Sequence, residues 1–210
     1  MATSREENRS TASRKITRLA IAVALAILVY SGLWFAAAGA LEKKLAELIG
    51  GANPAAIEAK CADMKVGGYP FRIGVSCSQL AVDDHFHGLS ATFGALRSAA
   101  QIYAPGHALW ELDGPGQVRS SLGFSLALQW TQLRSSLNAG LDGLDRSSVE
   151  VKDLQGLLTA QIDGQTVEAR TAHAEAHVRR SGDDLDLAVL TRDAVLSLKE
   201  QPPALPPLSA

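Results

Sequence analysis

Residues 171–178 read Thr-Ala-His-Ala-Glu-Ala-His-Val, so small or apolar residues alternate with polar ones. A period of two places the alanines and Val178 on one face of a β-strand and the polar residues on the other. A second alternating run follows the turn signal at residues 181–183, with Leu185 and Val189 on one face. Two such runs joined by a short turn predict an antiparallel β-hairpin.

Similar runs recur along the chain after residue 51. Further strands are predicted at residues 70–82, 86–103, 107–113, 117–130, 147–153, 157–162 and 194–199. Turn signals such as Asp113-Gly114-Pro115-Gly116 separate several of them. This spacing predicts a mainly β (α+β) fold, with an antiparallel meandering β-sheet that can be curved or groove-like. One helix is also predicted after residue 51, around residues 131–141.

A long apolar segment precedes the strand-rich part of the chain. Leu19–Leu41 reads LAIAVALAILVYSGLWFAAAGAL, which is 23 residues without a charged side chain. As a helix rising about 1.5 Å per residue it spans about 34 Å, more than a bilayer core of about 30 Å. Residues 1–18 carry five basic and two acidic side chains, whereas the remainder carries 15 basic and 20 acidic ones. This bias predicts a single-pass transmembrane helix with a cytoplasmic N-terminus and an exported body.

A cleaved signal peptide is the alternative interpretation of this segment. Both Ala36-Ala37-Ala38 and Ala38-Gly39-Ala40 fit a small-residue cleavage pattern. The apolar run is longer than the usual signal core of about 7–15 residues, which favours an uncleaved anchor. A buried helix of a soluble protein is disfavoured because the segment has no polar face.

Composition divides the chain into five parts. These are a basic cytoplasmic arm (1–18), a transmembrane helix (19–41), a juxtamembrane helix end (42–51), an exported β-rich domain (52–200) and a proline-rich tail or linker (201–210). Four prolines within residues 201–207 end any sheet, because proline donates no backbone hydrogen bond. A linker at this place leads us to expect that the natural protein continues further.

Composition and motifs also exclude several classes of function. The formal net charge is −2 and aromatic residues make up 5% of the chain, which argues against a nucleic-acid partner. The sequence contains no Gly-x-Ser-x-Gly elbow and no glycine-rich phosphate loop after a strand. We therefore expect no enzyme activity, no catalytic residue and no cofactor.

Two pairs of histidines are the candidate metal ligands. They are His85 and His87, near Asp83 and Asp84, and His173 and His177, on either side of Glu175. Imidazole and carboxylate groups on one strand face can bind a transition metal. Such polar faces are common without a function, and no third ligand for His85 and His87 has a convincing spacing. We therefore expect no metal site.

Two cysteines flank a tight turn. Cys61 and Cys77 lie on either side of residues 67–72, as expected for opposing arms of a hairpin. In an oxidising compartment they are predicted to form a disulfide, with two free thiols or a metal or catalytic role as the alternatives. The alternation in the two arms is out of phase, and a β-bulge in the first arm would reconcile it. Phe71 is expected to enter the core.

The turn motif resembles a known family. After the basic N-terminus, the apolar helix and a strand comes Gly68-Tyr69-Pro70-Phe71-Arg72. This arrangement resembles the DUF2125 family of uncharacterised proteobacterial envelope proteins, and the flanking cysteines resemble its alphaproteobacterial members. The resemblance implies a bacterial inner-membrane location with a periplasmic body, and it implies no activity. A more distant resemblance to AsmA-like envelope proteins implies a β-sheet that forms a groove for lipid.

Two functions remain in view at this point. The first is a non-catalytic binding module, in which the anchored sheet binds or shields lipid or another apolar ligand in the cell envelope. The second is a structural or assembly partner of an envelope complex, which docks through an open sheet edge without a ligand. An enzyme is the third and least favoured class.

Overall fold

The computed structural model describes residues 3–49, 57–140, 143–160, 164–182 and 184–199. The chain forms two compact units, Met1–Leu41 and Glu42–Ala210. The predicted tail at 201–210 and the last two residues of the predicted juxtamembrane helix end, 50 and 51, lie outside the described residues.

The N-terminal part is a single helix, α1, which covers Thr3–Ile49. It contains the whole predicted transmembrane segment and continues through the described part of the predicted juxtamembrane end. By length and composition this helix can cross a membrane, a property that a signal sequence near the N-terminus shares. Ser31 Oγ donates a hydrogen bond to the Ile27 carbonyl at 2.8 Å, so its hydroxyl group is satisfied within the helix.

The rest of the described chain is built from strands. Their bounds are β1 Ile57–Ala62, β2 Lys65–Gly67, β3 Arg72–Cys77, β4 Gln79–Asp84, β5 Leu89–Phe93, β6 Leu96–Gln101, β7 Ala104–Leu112, β8 Gly116–Ser120, β9 Phe124–Gln129, β10 Gln132–Gly140, β11 Gly143–Ala160, β12 Thr166–Ser181, β13 Asp184–Arg192 and β14 Val195–Lys199. All of them belong to one antiparallel sheet. The predicted mainly β meander after an N-terminal apolar helix is therefore confirmed.

The fourteen strands make eight passes back and forth across this sheet. Six passes consist of two short strands each, β1/β2, β3/β4, β5/β6, β7/β8, β9/β10 and β13/β14, while β11 and β12 each make a whole pass. Half-sheet A contains β2, β3, β6, β7, β10 and β13 with residues 143–152 and 173–181. Half-sheet B contains β1, β4, β5, β8, β9 and β14 with residues 154–160 and 166–171.

A line of breaks separates the two half-sheets. Gly94 N–H donates to the Asp113 carbonyl at 3.0 Å, which joins the third and fourth passes at their breaks. Thr131 N–H donates to the Lys152 carbonyl at 3.1 Å and joins the fifth and sixth. Three breaks hold an aspartate with positive φ (51°, 51° and 53°), namely Asp63, Asp153 and Asp193. Aspartate tolerates this backbone region better than most residues do, so it permits the chain to bend here.

The breaks shift the side-chain alternation by one residue. Register pairs Val151 with Ala174 in half-sheet A, and Leu154 with Thr171 in half-sheet B. Leu154 and Thr171 line one cavity together with Thr191, which is the register partner of Ala174. The two pairs therefore face the same side of the sheet, although they are three residues apart. Thr171, predicted on the polar face of its strand, lies on the apolar side for this reason.

Several sequence predictions about secondary structure differ from the structure, and two of them are wrong about the kind of element or its continuity. Residues 131–141 were expected to be helical, but Gln132–Gly140 forms β10 between β7 and β11. Leu133 and Leu137 have helical spacing, yet both pair across strands, and long-range pairing overrides the local preference. The strand predicted at 117–130 is a hairpin, because Gly123 (φ 85°) turns the chain between β8 and β9.

Candidate functional site

One face of half-sheet B is apolar across all eight passes. Residues opposite one another in an antiparallel ladder point to the same face, so the register defines its members. They are Ala59, Cys61, Leu80, Val82, Ala91, Phe93, Val118, Leu126, Leu128, Leu154, Leu158, Val167, Ala169, Leu196 and Leu198. We call this set the apolar face.

The opposite face of the same strands is mainly polar, and in β8 and β9 it is the more exposed of the two faces. In β8, Val118 on the apolar face is half-buried, while Gln117 and Arg119 on the other face are exposed. In β9, Leu128 is half-buried and Ala127 is exposed. Within the described part of the second unit no other layer of structure covers either face. The sheet itself curls into a half-barrel.

A cavity of about 490 Å³ lies on the apolar face where β9, β11, β12 and β14 meet. Its walls are leucine, valine, alanine and threonine side chains, with Arg170 at the edge. Gly156 forms part of its lining and is buried; a Cβ atom there would lie 3.3 Å from Leu128 Cδ2. This volume falls within the range of about 300–1,000 Å³ that is typical of sites for small organic ligands.

The apolar face continues across the breaks into half-sheet A. One row there contains Trp110, Ser135, Val149, Ala176 and Val189. At the line of breaks, Trp130 Nε1 donates to the Leu112 carbonyl at 2.8 Å, and the Trp130 ring lies 6.5 Å from that of Phe93. The indole thus satisfies its one polar group and fills the bend with apolar surface.

The polar face of half-sheet A contains a second cavity, of about 430 Å³. Ion pairs border it: Arg97 binds Asp113 through two hydrogen bonds of 3.0 and 2.7 Å, and Arg134 Nε donates to Glu150 at 2.6 Å. These bonds raise the pKa of Arg97 and lower the pKa of Glu150. Two of its serines, Ser136 and Ser148, bond to each other at 2.7 Å, an arrangement that does not activate a nucleophile.

The predicted turn motif forms the connection between β2 and β3. Gly68 has φ 113° and its carbonyl accepts the Arg72 N–H at 2.9 Å, while the Tyr69–Pro70 peptide bond is cis. Phe71 is 67% exposed, so the expectation that it enters the core is wrong. Its carbonyl instead accepts the Ile102 N–H at 3.1 Å and joins this turn to the next turn at the same edge.

Cys61 and Cys77 form a disulfide between the first two passes, with a Cα–Cα distance of 5.3 Å. The phase difference noted between the two arms is explained by the break at Asp63. Ser78 bridges the break, because its N–H donates to the Ala62 carbonyl at 2.9 Å and its Oγ to Asp63 Oδ2 at 2.7 Å. The disulfide therefore links the first two passes of the sheet next to the line of breaks.

The first histidine pair belongs to a turn. The Asp84 carboxylate accepts the backbone N–H groups of Phe86 and His87, each at 3.0 Å, and lies 2.6 Å from the His87 imidazole. These bonds, the imidazole bond first, lower the pKa of Asp84. His85 lies 3.5 Å from Glu58 on β1. Asp83 is near, and its register partner on β1 is also Glu58.

The second histidine pair belongs to a cluster on the polar face. Glu175 accepts from His173 Nε2 at 2.5 Å and from His177 Nε2 at 3.0 Å, and these bonds lower its pKa. Register places Glu150 directly opposite Glu175. Sequence reasoning missed Glu150, because nothing in the local pattern reveals the register between two strands joined by a distant turn.

Comparison with known proteins gives one match. Neither a curated protein nor a solved structure matches the chain. A family model described as "uncharacterized protein conserved in bacteria (DUF2125)" matches residues 34–210. The resemblance seen in the turn motif is thereby confirmed, whereas the more distant AsmA-like resemblance stays a prediction. Because the match extends over most of the sequence, the chain belongs to the DUF2125 family.

Proposed function

We propose that this protein is a non-catalytic lipid-binding protein of the bacterial cell envelope, whose curled sheet holds acyl chains against its apolar face. The single observation that carries the proposal is the continuity of that face over eight passes without a covering layer in the described part of the second unit. Isolated apolar residues are normal at a protein surface, but a contiguous apolar patch of this extent usually marks a binding surface.

An extended acyl chain fits this surface physically. It offers methylene groups and no hydrogen-bonding groups, as the walls of the 490 Å³ cavity do for the most part. Each methylene removed from water contributes about 0.8 kcal/mol. Eight buried methylenes would thus supply about 6 kcal/mol before the entropy of association is subtracted.

The proposed location is the periplasmic side of the inner membrane, with α1 as an uncleaved anchor and its N-terminus in the cytoplasm. The excess of basic residues before the apolar segment supports this orientation. The disulfide is consistent with it, because disulfides persist in oxidising compartments such as the periplasm.

A structural role in an envelope complex is the second candidate. The observation in its favour is the last pass, in which every described residue of β13 and β14 is exposed. Within the described residues this pass is an open edge, since β13 and β14 pair there with β12 alone. An open edge can add a strand from a partner protein.

Two adjacent leucines test the lipid proposal. Leu158 lies on the apolar face and is 40% exposed, whereas Leu157 lies on the opposite face and is 36% exposed. A photoreactive phenylalanine analogue would replace each in turn in the full-length protein, in cells with radiolabelled phospholipid. We expect ultraviolet light to attach lipid at position 158 and not at position 157. Equal lipid labelling at both positions, or labelling at neither, would exclude the proposal. If the same analogue is placed at Leu190 or Leu196 on the last pass, a protein adduct there would favour the complex.

A further inference from the structure

We propose that the end of half-sheet B that lies away from the line of breaks contacts the surface of the lipid bilayer, so that acyl chains pass from the membrane onto the apolar face. The contact is made by exposed apolar side chains at this end, which we call the apolar rim. They are Ile57, Phe86, Leu89, Leu122 and Phe124. The passage of lipid rests on the proposed function, whereas the membrane contact is tested separately from it.

Three members of the apolar rim continue the apolar face to the ends of its strands. Ile57 of β1, Leu89 of β5 and Phe124 of β9 each lie two residues from a member of that face in the same strand. A period of two places all three on the apolar side of the sheet. Because each of them is exposed, the apolar face is still accessible where the strands end.

The other two members lie at the tips of neighbouring turns. Phe86 belongs to the turn between β4 and β5 and is 79% exposed, while Leu122 belongs to the turn between β8 and β9 and is 71% exposed. The two turns are adjacent, because Ser121 N–H donates to the Gly88 carbonyl at 2.8 Å. Large apolar side chains thus lie beyond the strands, next to the end of the apolar face.

Hydrogen bonds within each turn satisfy the backbone of these tips. The N–H groups of Phe86 and His87 donate to the Asp84 carboxylate, each at 3.0 Å. Leu122 N–H donates to Ser120 Oγ at 3.2 Å. A backbone donor that already has a protein partner loses less when water is removed from it. The two tips can therefore enter the bilayer interface without leaving these donors unpaired.

The chain enters the sheet at this same end. Residues 50–56 connect Ile49 at the end of α1 to Ile57 at the start of β1. Eight steps of at most about 3.6 Å limit the distance between these two Cα atoms to about 29 Å. Ile49 itself follows the apolar segment by eight helical residues, or about 12 Å. With α1 in the membrane the apolar rim stays within reach of the bilayer, whereas the turn at 68–71 lies a whole pass further along the chain.

Ion pairs lie next to the apolar rim, so attraction to anionic lipid is not the expected driving force. Lys60 Nζ lies 3.0 Å from Glu58, and His85 Nε2 lies 3.5 Å from the same side chain. His87 Nδ1 lies 2.6 Å from Asp84. Contact made by apolar side chains should persist at high salt, which screens interactions between exposed charges.

The test measures bilayer contact of the full-length protein in vesicles of phosphatidylethanolamine and phosphatidylglycerol that contain a spin-labelled phospholipid. An environment-sensitive fluorescent amino acid replaces Phe86 or Leu122. In the matched controls it replaces Phe71 or Tyr103, which are 67% and 75% exposed at the opposite end of the sheet. We expect the spin label to quench the probe at least threefold more at positions 86 and 122 than at 71 and 103. Raising the salt concentration from about 0.1 to about 0.5 M should leave this difference unchanged.

Equal quenching at the two ends, stronger quenching at 71 and 103, or none at 86 and 122 would overturn the membrane contact. The double variant Phe86→Ser/Leu122→Ser should also lower lipid labelling at position 158 at least threefold, whereas Phe71→Ser/Tyr103→Ser should lower it less than 1.5-fold. Unchanged labelling in the first variant would overturn the passage of lipid over the apolar rim. Far-ultraviolet circular dichroism checks that the sheet is retained. If a serine variant unfolds, the fluorescent substitutions still decide the contact, because they keep a large apolar group.

Failure of this inference and failure of the proposed function give different results. Lipid labelling at position 158 without quenching at 86 and 122 refutes the membrane contact and leaves lipid binding in place. Quenching at 86 and 122 without labelling at 158 supports the membrane contact and refutes lipid binding on the apolar face. A photoreactive residue at position 86 that attaches to a protein in cells, with no quenching in vesicles, would assign the apolar rim to a protein partner instead.

Discussion

Replacing Leu158 with glutamine should weaken lipid binding, while the same change at Leu157 should leave it intact. About 40% of Leu158 is still exposed and would be covered by a ligand on the apolar face. Burying a whole leucine side chain contributes about 1.5–3 kcal/mol, so this fraction corresponds to about 0.6–1.2 kcal/mol. An amide buried against an acyl chain without a partner adds a penalty of about 1–3 kcal/mol. The sum is at least about 1.6 kcal/mol, or a loss of affinity of about fifteenfold.

The assay is a titration of the full-length protein with a phospholipid of one defined acyl length, in mild detergent, with bound lipid counted by native mass spectrometry. Leu157→Gln controls for folding, because the two leucines are adjacent, nearly equally exposed, and located on opposite faces. The thermal unfolding midpoints of the two variants should agree. Equal weakening in both variants, or in neither, would refute the assignment of the apolar face as the lipid site.

Three further outcomes are expected. Replacing Cys61 and Cys77 with serine should lower the free energy of unfolding by about 3 kcal/mol, because the disulfide spans 16 residues; an unchanged urea midpoint would contradict this. At the break in β11, Asp153→Val should cost roughly 1–3 kcal/mol, because the site has φ 51°, while Asp153→Gly should be tolerated when thermal midpoints are compared. The pKa of Asp84 is lowered by its bonds to His87, so this carboxylate stabilises the folded state at neutral pH and loses that contribution as the pH falls below 3.8, the ordinary pKa of the group. Asp84→Asn should remove this pH-dependent part of the free energy of unfolding in an acid titration. An acid unfolding profile that is the same in the variant would argue against this role.

Much of the fold could be predicted from local alternation, and the breaks could not. Residues 185–189 alternate within one unbroken strand, so a period of two was a sound signal there. At a break the apolar face is reached by a step of three residues, as from Phe93 to Leu96 or from Val151 to Leu154. If the sequence is interpreted as one continuous strand, a step of three residues between apolar positions looks irregular or matches a helical spacing. The incorrect helix at 131–141 has this origin, because it directly follows the break at Trp130 and Thr131.

The candidate sites were predictable to different degrees for a related reason. The turn motif and the disulfide involve residues close in sequence, and their spacing alone suggested a hairpin. The apolar face and the Glu150 cluster depend on register between passes, which a single sequence does not reveal. Exposure of Phe71 was missed because a single-layer sheet offers no core at its turns. In the described part of the second unit, Cys77 and Leu112 are the buried apolar side chains.

The phase shift at the breaks bears on function as well as on shape. Without the extra residue at the break, Val151 and Leu154 would lie on opposite faces of β11, because they are three positions apart and strand side chains alternate with a period of two. Half-sheets A and B would then present apolar surface on opposite sides of the sheet. The shift between Val151 and Leu154 in β11 is matched by the one between Thr171 and Ala174 in β12. Neighbouring passes thus keep one apolar side through the bend. A partner strand that pairs with the open edge needs only backbone groups. An acyl chain that extends through the bend instead needs an apolar side that is the same in both half-sheets.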